Sequence, residues 1–177
     1  MFKKSIWGFF LLLAMTILMA ACSSENEADA NEKTIDNASK YAEVFEETDS
    51  IAHDFMVEKI EQNYPEILKY LTSDGVEELK EKKSYLLDSH EYPNRFEELE
   101  GKYELRRYDN FYNDEKGEVY YRYRTPDDKD VLTNSWIIIK QDDNNEWKIE
   151  SYYGERPEVI NDSNAETGTV LHELPEG

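Results

Sequence analysis

The apolar positions of this chain change their spacing twice. Ile6 to Ala21 is a nearly unbroken apolar run, Tyr41 to Met56 carries apolar residues at helical intervals, and from Lys102 onward apolar and polar residues alternate. In the middle stretch Tyr41, Phe45, Thr48, Ala52 and Phe55, flanked by Val44, Ile51 and Met56, follow the i, i+3, i+4 rule, which predicts a helix burying one stripe. Asp36 or Asn37 can cap its start, and Pro65 ends it near Asn63 while opening a short second helix through Leu71. Thr72-Ser73-Asp74-Gly75 reads as a turn whose Ser or Asp caps a third helical piece from Val76 to about Leu87, and Asp88 to Gly101 reads as a loop bracketed by Pro93 and Gly101.

The period-two part predicts four strands: Tyr103 to Tyr112, Glu118 to Arg124, Val131 to Lys140 and Glu146 to Tyr153. Turn residues separate them at 113–117, 126–130 and 141–145, so the expected arrangement is an antiparallel meander. Trp136-Ile137-Ile138-Ile139 is apolar on both faces, which calls for material above and below that strand. Helices first and a curved sheet afterwards define an α+β domain with the long helix across the sheet.

The first apolar run follows Lys3 and Lys4 and closes on the small residues Ala20 and Ala21 directly before Cys22, the single cysteine. A helix of its 16 residues reaches about 24 Å, short of the ~30 Å hydrocarbon core, so the run reads as a removable export signal. Leu18-Met19-Ala20-Ala21-Cys22, followed by Ser23-Ser24-Glu25, resembles the lipobox of bacterial lipoproteins, with Met19 where that family usually has Leu. The resemblance implies a diacylglyceryl-modified Cys22 as the mature N-terminus, an anchor in the lipid bilayer, and a position on the extracytoplasmic side of the cell membrane. Two acyl chains hold a protein on a bilayer where one gives only marginal binding. The domain reading is then 1–21 signal, 22–35 polar tether, 36–156 folded domain and 157–177 acidic flexible tail.

The Tyr70-Leu71-Thr72-Ser73 turn after a long amphipathic helix, and a meander closing on Trp147-Lys148-Ile149-Glu150-Ser151-Tyr152-Tyr153, resemble the NTF2-like (cystatin-like) α+β cone found among Gram-positive lipoproteins. That superfamily includes isomerases, dehydratases and non-catalytic binding domains, so the fold does not select a function.

Charge narrows the partners. The full chain carries a net charge of −20, and without the signal 18 basic residues stand against 40 acidic ones. Such a surface repels nucleic acid and anionic headgroups, and it favours solubility in salty or alkaline surroundings. One cysteine excludes an intrachain disulfide.

Candidate chemistry is sparse. His53 and Asp54 are the nearest acid–base candidates for an enzyme acting on a small apolar substrate, but helical stepping puts both off the apolar stripe, toward water. His90 and His172 have no companion at metal-ligand spacing. The acidic turns at 127–130 and 142–146 cluster oxygen ligands, yet neither has the glycine and closing glutamate of the calcium loop. No catalytic residue, metal or cofactor is assigned.

The informative departure is basic. Four of the six arginines, Arg106, Arg107, Arg122 and Arg124, lie in the first two strands among tyrosines. If Tyr112 pairs with Glu118, then Arg106 faces Arg124 and Tyr108 faces Arg122, on one side with Tyr120, while Leu105, Phe111, Val119, Tyr121 and Tyr123 form the core side. Opposed arginines need an anion between them. A ligand or partner is one source, which makes Arg106, Tyr108, Tyr120, Arg122 and Arg124 the candidate binding face. Glu104, Asp109 or tail carboxylates are the other source. On the first reading, alanine at Arg122 and Arg124 abolishes partner capture and leaves stability within about 1 kcal/mol. The expected function is a membrane-anchored, non-catalytic binding module meeting an envelope protein or cell-wall component. An NTF2-like enzyme and a passive acidic envelope protein are the alternatives.

Overall fold

The computed structural model describes residues 37–84, 87–127, 129 and 131–175. The export signal, Cys22 and the tether lie outside the described residues, as do Asp128 and Asp130 of the first acidic turn. Among the described residues no helix is long and apolar enough to cross a membrane.

Residues 37–40 form a helical turn, and Tyr41 interrupts it before the main helix α1, Ala42–Glu61. The expected stripe is buried on α1: Phe45, Thr48, Ala52, Phe55 and Met56. Each large apolar side chain taken fully out of water here stabilises the fold by about 1.5–3 kcal/mol. Gln62 ends α1 in the left-handed conformation at φ 58°, and Asn63 precedes the short α2, Tyr64–Tyr70, with Pro65 in its first turn. The third helix, α3, runs Ser73–Lys83, earlier than the expected Val76 to Leu87. Its cap is Thr72, whose Oγ1 accepts from the Gly75 amide at 3.2 Å, because Ser73 and Asp74 already lie within the helix. Thr72 also anchors the turn to the sheet, its amide donating to the Ile149 carbonyl at 2.9 Å.

The sheet is open, antiparallel and has five strands: β1 Glu104–Arg107, β2 Glu118–Pro126, β3 Leu132–Gln141, β4 Trp147–Ile149 and β5 Thr169–His172, in the order β4-β3-β2-β1-β5. The fifth strand comes from the segment expected to be a flexible tail. Its composition is polar, but backbone pairing with β1 requires no apolar side chain.

One sheet face packs on the helices, burying Leu105, Val119, Tyr121, Tyr123, Ile137, Ile139, Trp147 and Ile149 with Phe45, Phe55 and Ile67. The other face is covered by the C-terminal segment as it crosses from β4 to β5. Ile160, 2% exposed, meets Tyr108 and Tyr120 there, with Phe111, Trp136, Ile138, Val159 and Ala165 around them. This supplies the second layer that Trp136 and Ile138 called for.

The expected β1–β2 register is corrected by two residues. Arg106 pairs with Arg122 and Glu104 with Arg124. The cause is a 3-10 turn at Asp109–Phe111, which stops β1 at Arg107 and lengthens the connection to β2. An even slip keeps every side chain on its face. Beyond the break, Phe111 changes sides and joins the outer cluster, and Tyr112 turns to the helix side against Tyr41 and Phe45.

Candidate functional site

The alternation of β1 divides its charged residues between two networks. Glu104 and Arg106 point to the outer face, and Leu105 and Arg107 point to the helices.

In the outer network Arg106 and Arg122 are direct cross-strand neighbours, and two carboxylates lie between them. Glu104 Oε1 accepts from Arg106 Nε at 3.2 Å and from Arg122 Nη2 at 2.7 Å. Glu166, from the C-terminal segment, forks Arg122 through Nη1 at 2.7 Å and Nη2 at 3.0 Å, and its Oε2 lies 3.4 Å from Arg106 Nη2. Arg106 Nη1 donates to the carbonyls of Glu166 at 2.7 Å and Gly168 at 3.1 Å, and the Tyr108 hydroxyl donates to the Ala165 carbonyl at 2.8 Å. Arg124 stands at the margin, 3.7 Å from Glu104, and the Tyr120 hydroxyl donates to Glu118 at 2.5 Å.

Four of the five expected binding residues are therefore buried: Arg106, Tyr108, Tyr120 and Arg122. They form no free surface, because the C-terminal segment lies over them and its Glu166 supplies the anion. Hydrogen bonds and charge settle the ionisation states. Glu166 is held below the usual carboxylate range by its bond from Arg122. Burial alone would raise Glu104, but bonds from Arg106 and Arg122 hold it low. Burial opposes the charge on Arg122, and its bonds to Glu166 and Glu104 outweigh that effect and keep it protonated. The close fit of the segment requires a glycine: a Cβ on Gly168 would lie 2.4 Å from the Arg107 carbonyl oxygen.

The inner network ties five elements together. Arg107 donates through Nε to Asp109 Oδ1 at 2.6 Å and through Nη1 to Asp49 Oδ2 at 2.5 Å, with its guanidinium 4.0 Å from the Phe45 ring centroid. Tyr121 OH lies 2.8 Å from Asp49 Oδ1 and 2.7 Å from Thr48 Oγ1, and Thr169 Oγ1 donates to Asp109 Oδ2 at 2.7 Å. Helix α1, strands β1, β2 and β5 and the 3-10 turn thus meet at one buried cluster. Burial raises Asp49 despite Arg107 beside it, and burial with the Asp49 charge pushes the Tyr121 phenol far up.

Asp109 and a tail carboxylate, Glu166, answer the arginines as the alternative to a ligand allowed, whereas Asp49 and Thr169 were not among the expected residues. A signal for part of this lay in Glu104-x-Arg106 and Arg107-x-Asp109, since residues two apart on a strand share a face. Nothing local pointed to Glu166 or Asp49, which approach from distant elements.

The histidines are apart from both networks. His53 packs its ring against Phe96 at 5.5 Å and Tyr103 at 6.2 Å, a half-buried aromatic contact where water was expected, whereas Asp54 is exposed as expected. His90 lies 3.5 Å from Glu61, and His172 stacks on Tyr103 with centroids 3.7 Å apart. Among the described residues no cluster of three or more His, Cys, Asp or Glu is placed to hold a metal ion. The acidic turns use their side chains on the backbone: Asp127 Oδ1 accepts from the amides of Lys129 and Val131, and Asp142 Oδ1 from those of Asn144 and Glu146. These are turn-forming bonds.

Two buried polar groups give stability tests. The Tyr123 hydroxyl is buried with no hydrogen-bond partner among the described residues, its ring stacked on Tyr103 at 5.1 Å. An unsatisfied buried hydroxyl costs about 1–3 kcal/mol, so Tyr123→Phe is expected to leave urea stability unchanged or raise it, whereas a loss would reveal a partner for the hydroxyl.

Lys59 donates to the Tyr152 carbonyl at 2.7 Å, with its ammonium 4.5 Å from the Tyr152 ring centroid and 5.7 Å from that of Phe55. Burial pushes it down to about 8 from 10.5. Between those two values the folded chain has released a proton that the unfolded chain keeps, so stability rises with pH across that window. The expected gain is about 1–3 kcal/mol. Denaturant melts over this range check it, and the rise should vanish in Lys59→Met. Above about 10 the sign reverses, because buried tyrosines such as Tyr121 and Tyr123 keep protons that the unfolded chain loses.

Comparison with known proteins gives no matching family model, no similar curated protein and no similar solved structure, so the reading of this site rests on its own chemistry.

Proposed function

We propose that the chain is a lipid-anchored, extracytoplasmic and non-catalytic interaction module, held through acylated Cys22 at the end of the 22–35 tether. The observation that supports the non-catalytic part is the state of the buried charges. Arg106, Arg107 and Arg122 are matched with Glu104, Glu166, Asp49 and Asp109 of the same chain. Paired groups of this kind brace the fold, whereas acid–base catalysis needs a group free to exchange a proton with a substrate near the working pH. Within this reading the domain is an NTF2-like cone, with α1 against the concave side of the sheet.

The same pairing also supports a second reading, a passive acidic envelope protein. Arginines neutralised inside the chain leave a solvent-facing surface that is strongly acidic, suited to remaining dispersed beside other anionic envelope polymers.

Two experiments test the proposal. Cys22→Ala should move the protein from the membrane fraction to the medium, and retention on membranes would overturn the anchor. A photo-crosslinking residue at exposed Tyr92 or Val131 in intact cells should give discrete foreign adducts. No adduct from either position would favour the passive reading.

A further inference from the structure

The C-terminal segment binds the sheet much as a peptide binds a receptor. It adds strand β5 to the edge of β1, places one carboxylate in an arginine fork, and directs the carbonyls of Ala165, Glu166 and Gly168 at Tyr108 and Arg106. Strand addition, side-chain pockets and a required glycine are the elements of edge-strand peptide recognition.

Resting on the interaction-module reading, we propose that the outer groove along β1 is a recognition site for an extended, glutamate-bearing segment, and that its exchangeable occupant is residues 157–175 of a second copy of this chain. Three observations carry the inference. First, a vacant groove would leave Arg106, Arg122 and Arg124 around Glu104 alone, an excess of like charge that draws in an acidic strand. The one sequence that fits it is already known, with Glu166 two residues before Gly168.

Second, the occupant joins the body through residues 154–157, which have no regular structure. Every contact it makes in its own chain is then available between chains, which is the condition for segment exchange.

Third, its strand pairing is short. β5 has four residues, the pairing shifts register between Leu105 and Arg106, and Leu171 is exposed. Short, half-exposed edge elements open at lower free energy than a central strand such as β2. Pro157 and Ile160 are the buried apolar anchors of the segment. Two copies of net charge −20 repel, so exchange should be favoured by salt.

The test uses two full-chain variants, Glu166→Arg and Arg122→Glu. Each alone places like charges in the groove and is expected to stay monomeric. Mixed in equal amounts at high salt they should form a heterodimer by native mass spectrometry, since each exchanged segment meets an opposite charge. Two folded variants that remain monomeric after mixing would overturn the proposal.

Should Arg122→Glu not fold, a labelled peptide of residues 157–175 is titrated onto full-chain Glu166→Gln and onto the unaltered protein. Binding about tenfold tighter to the variant supports the groove, and no binding to either overturns it. Peptide binding without heterodimer formation from two folded variants would assign the groove to a foreign acidic segment and overturn self-exchange. Foreign crosslinks at Val131 without exchange would remove this inference and leave the interaction-module reading intact.

Discussion

Asp109→Ala is expected to destabilise the domain by about 3–5 kcal/mol, the range for removing one partner of a buried ion pair. Asp109 is fully buried, and its two oxygens serve Arg107 and Thr169 while its carbonyl accepts from the Asn37 side chain at 2.9 Å. Alanine keeps that carbonyl but leaves the Arg107 guanidinium with Asp49 as its remaining carboxylate and leaves the Thr169 hydroxyl without its acceptor. The loss is therefore shared between β1 and β5. Urea unfolding followed by circular dichroism checks the magnitude, and hydrogen exchange checks where it falls. Amides of residues 169–172 should lose protection along with those of β1. A loss below about 1 kcal/mol would show that Asp49 alone satisfies Arg107.

Arg122→Ala is expected to cost about 3 kcal/mol or more by the same mechanism. From the sequence alone, alanine at Arg122 and Arg124 together is expected to stay within about 1 kcal/mol, as for exposed positions. The structure places Arg122 4% exposed between Glu104 and Glu166. Its removal leaves Glu104 buried with fewer partners, and it releases the Glu166 fork. Arg124→Ala should stay near the smaller figure, since Arg124 is partly exposed and reaches Glu104 only at 3.7 Å. The contrast between the two is the useful measurement, and equal losses would contradict the burial of this face.

The same groups set the response to acid. Glu104 and Glu166 are held low in the folded chain, so their contribution is complete above the ordinary carboxylate range and declines as pH falls through their folded values. Asp49 acts in the opposite direction, because burial raises it and protonation relieves its desolvation. Acid should therefore weaken the outer network through Glu104 and Glu166, and protonation of Asp49 does not add to that loss. Arg122→Ala should flatten the acid limb of a stability–pH curve.

How much of this could be read from the residues depends on how local each interaction is. The faces of β1 and β2 were legible because period-two alternation survives a two-residue slip, so Arg106, Tyr108, Tyr120, Arg122 and Arg124 were placed together on one side. The register itself was not, since it depends on the 3-10 turn at Asp109–Phe111, which Arg107 and Asp109 brace from neighbouring positions. Strand β5 was hidden for another reason. Its apolar residues are one adjacent pair, Val170 and Leu171, too few to set a period, and its stability comes from backbone pairing and from Glu166, neither of which leaves a periodic pattern.

What the sequence by itself determined is the α+β order, the buried stripe of α1, the crowding of arginine and tyrosine on one face, and the need for an anion there. Periodicity and charge are properties of neighbouring residues, so they are written along the chain. Only the tertiary structure decided which anion answers the arginines. That anion is Glu166, 44 positions from Arg122 in the chain and 2.7 Å away in the fold. The Coulomb attraction and desolvation that bring such groups together act through space, and no pattern of adjacent residues records which distant carboxylate they select.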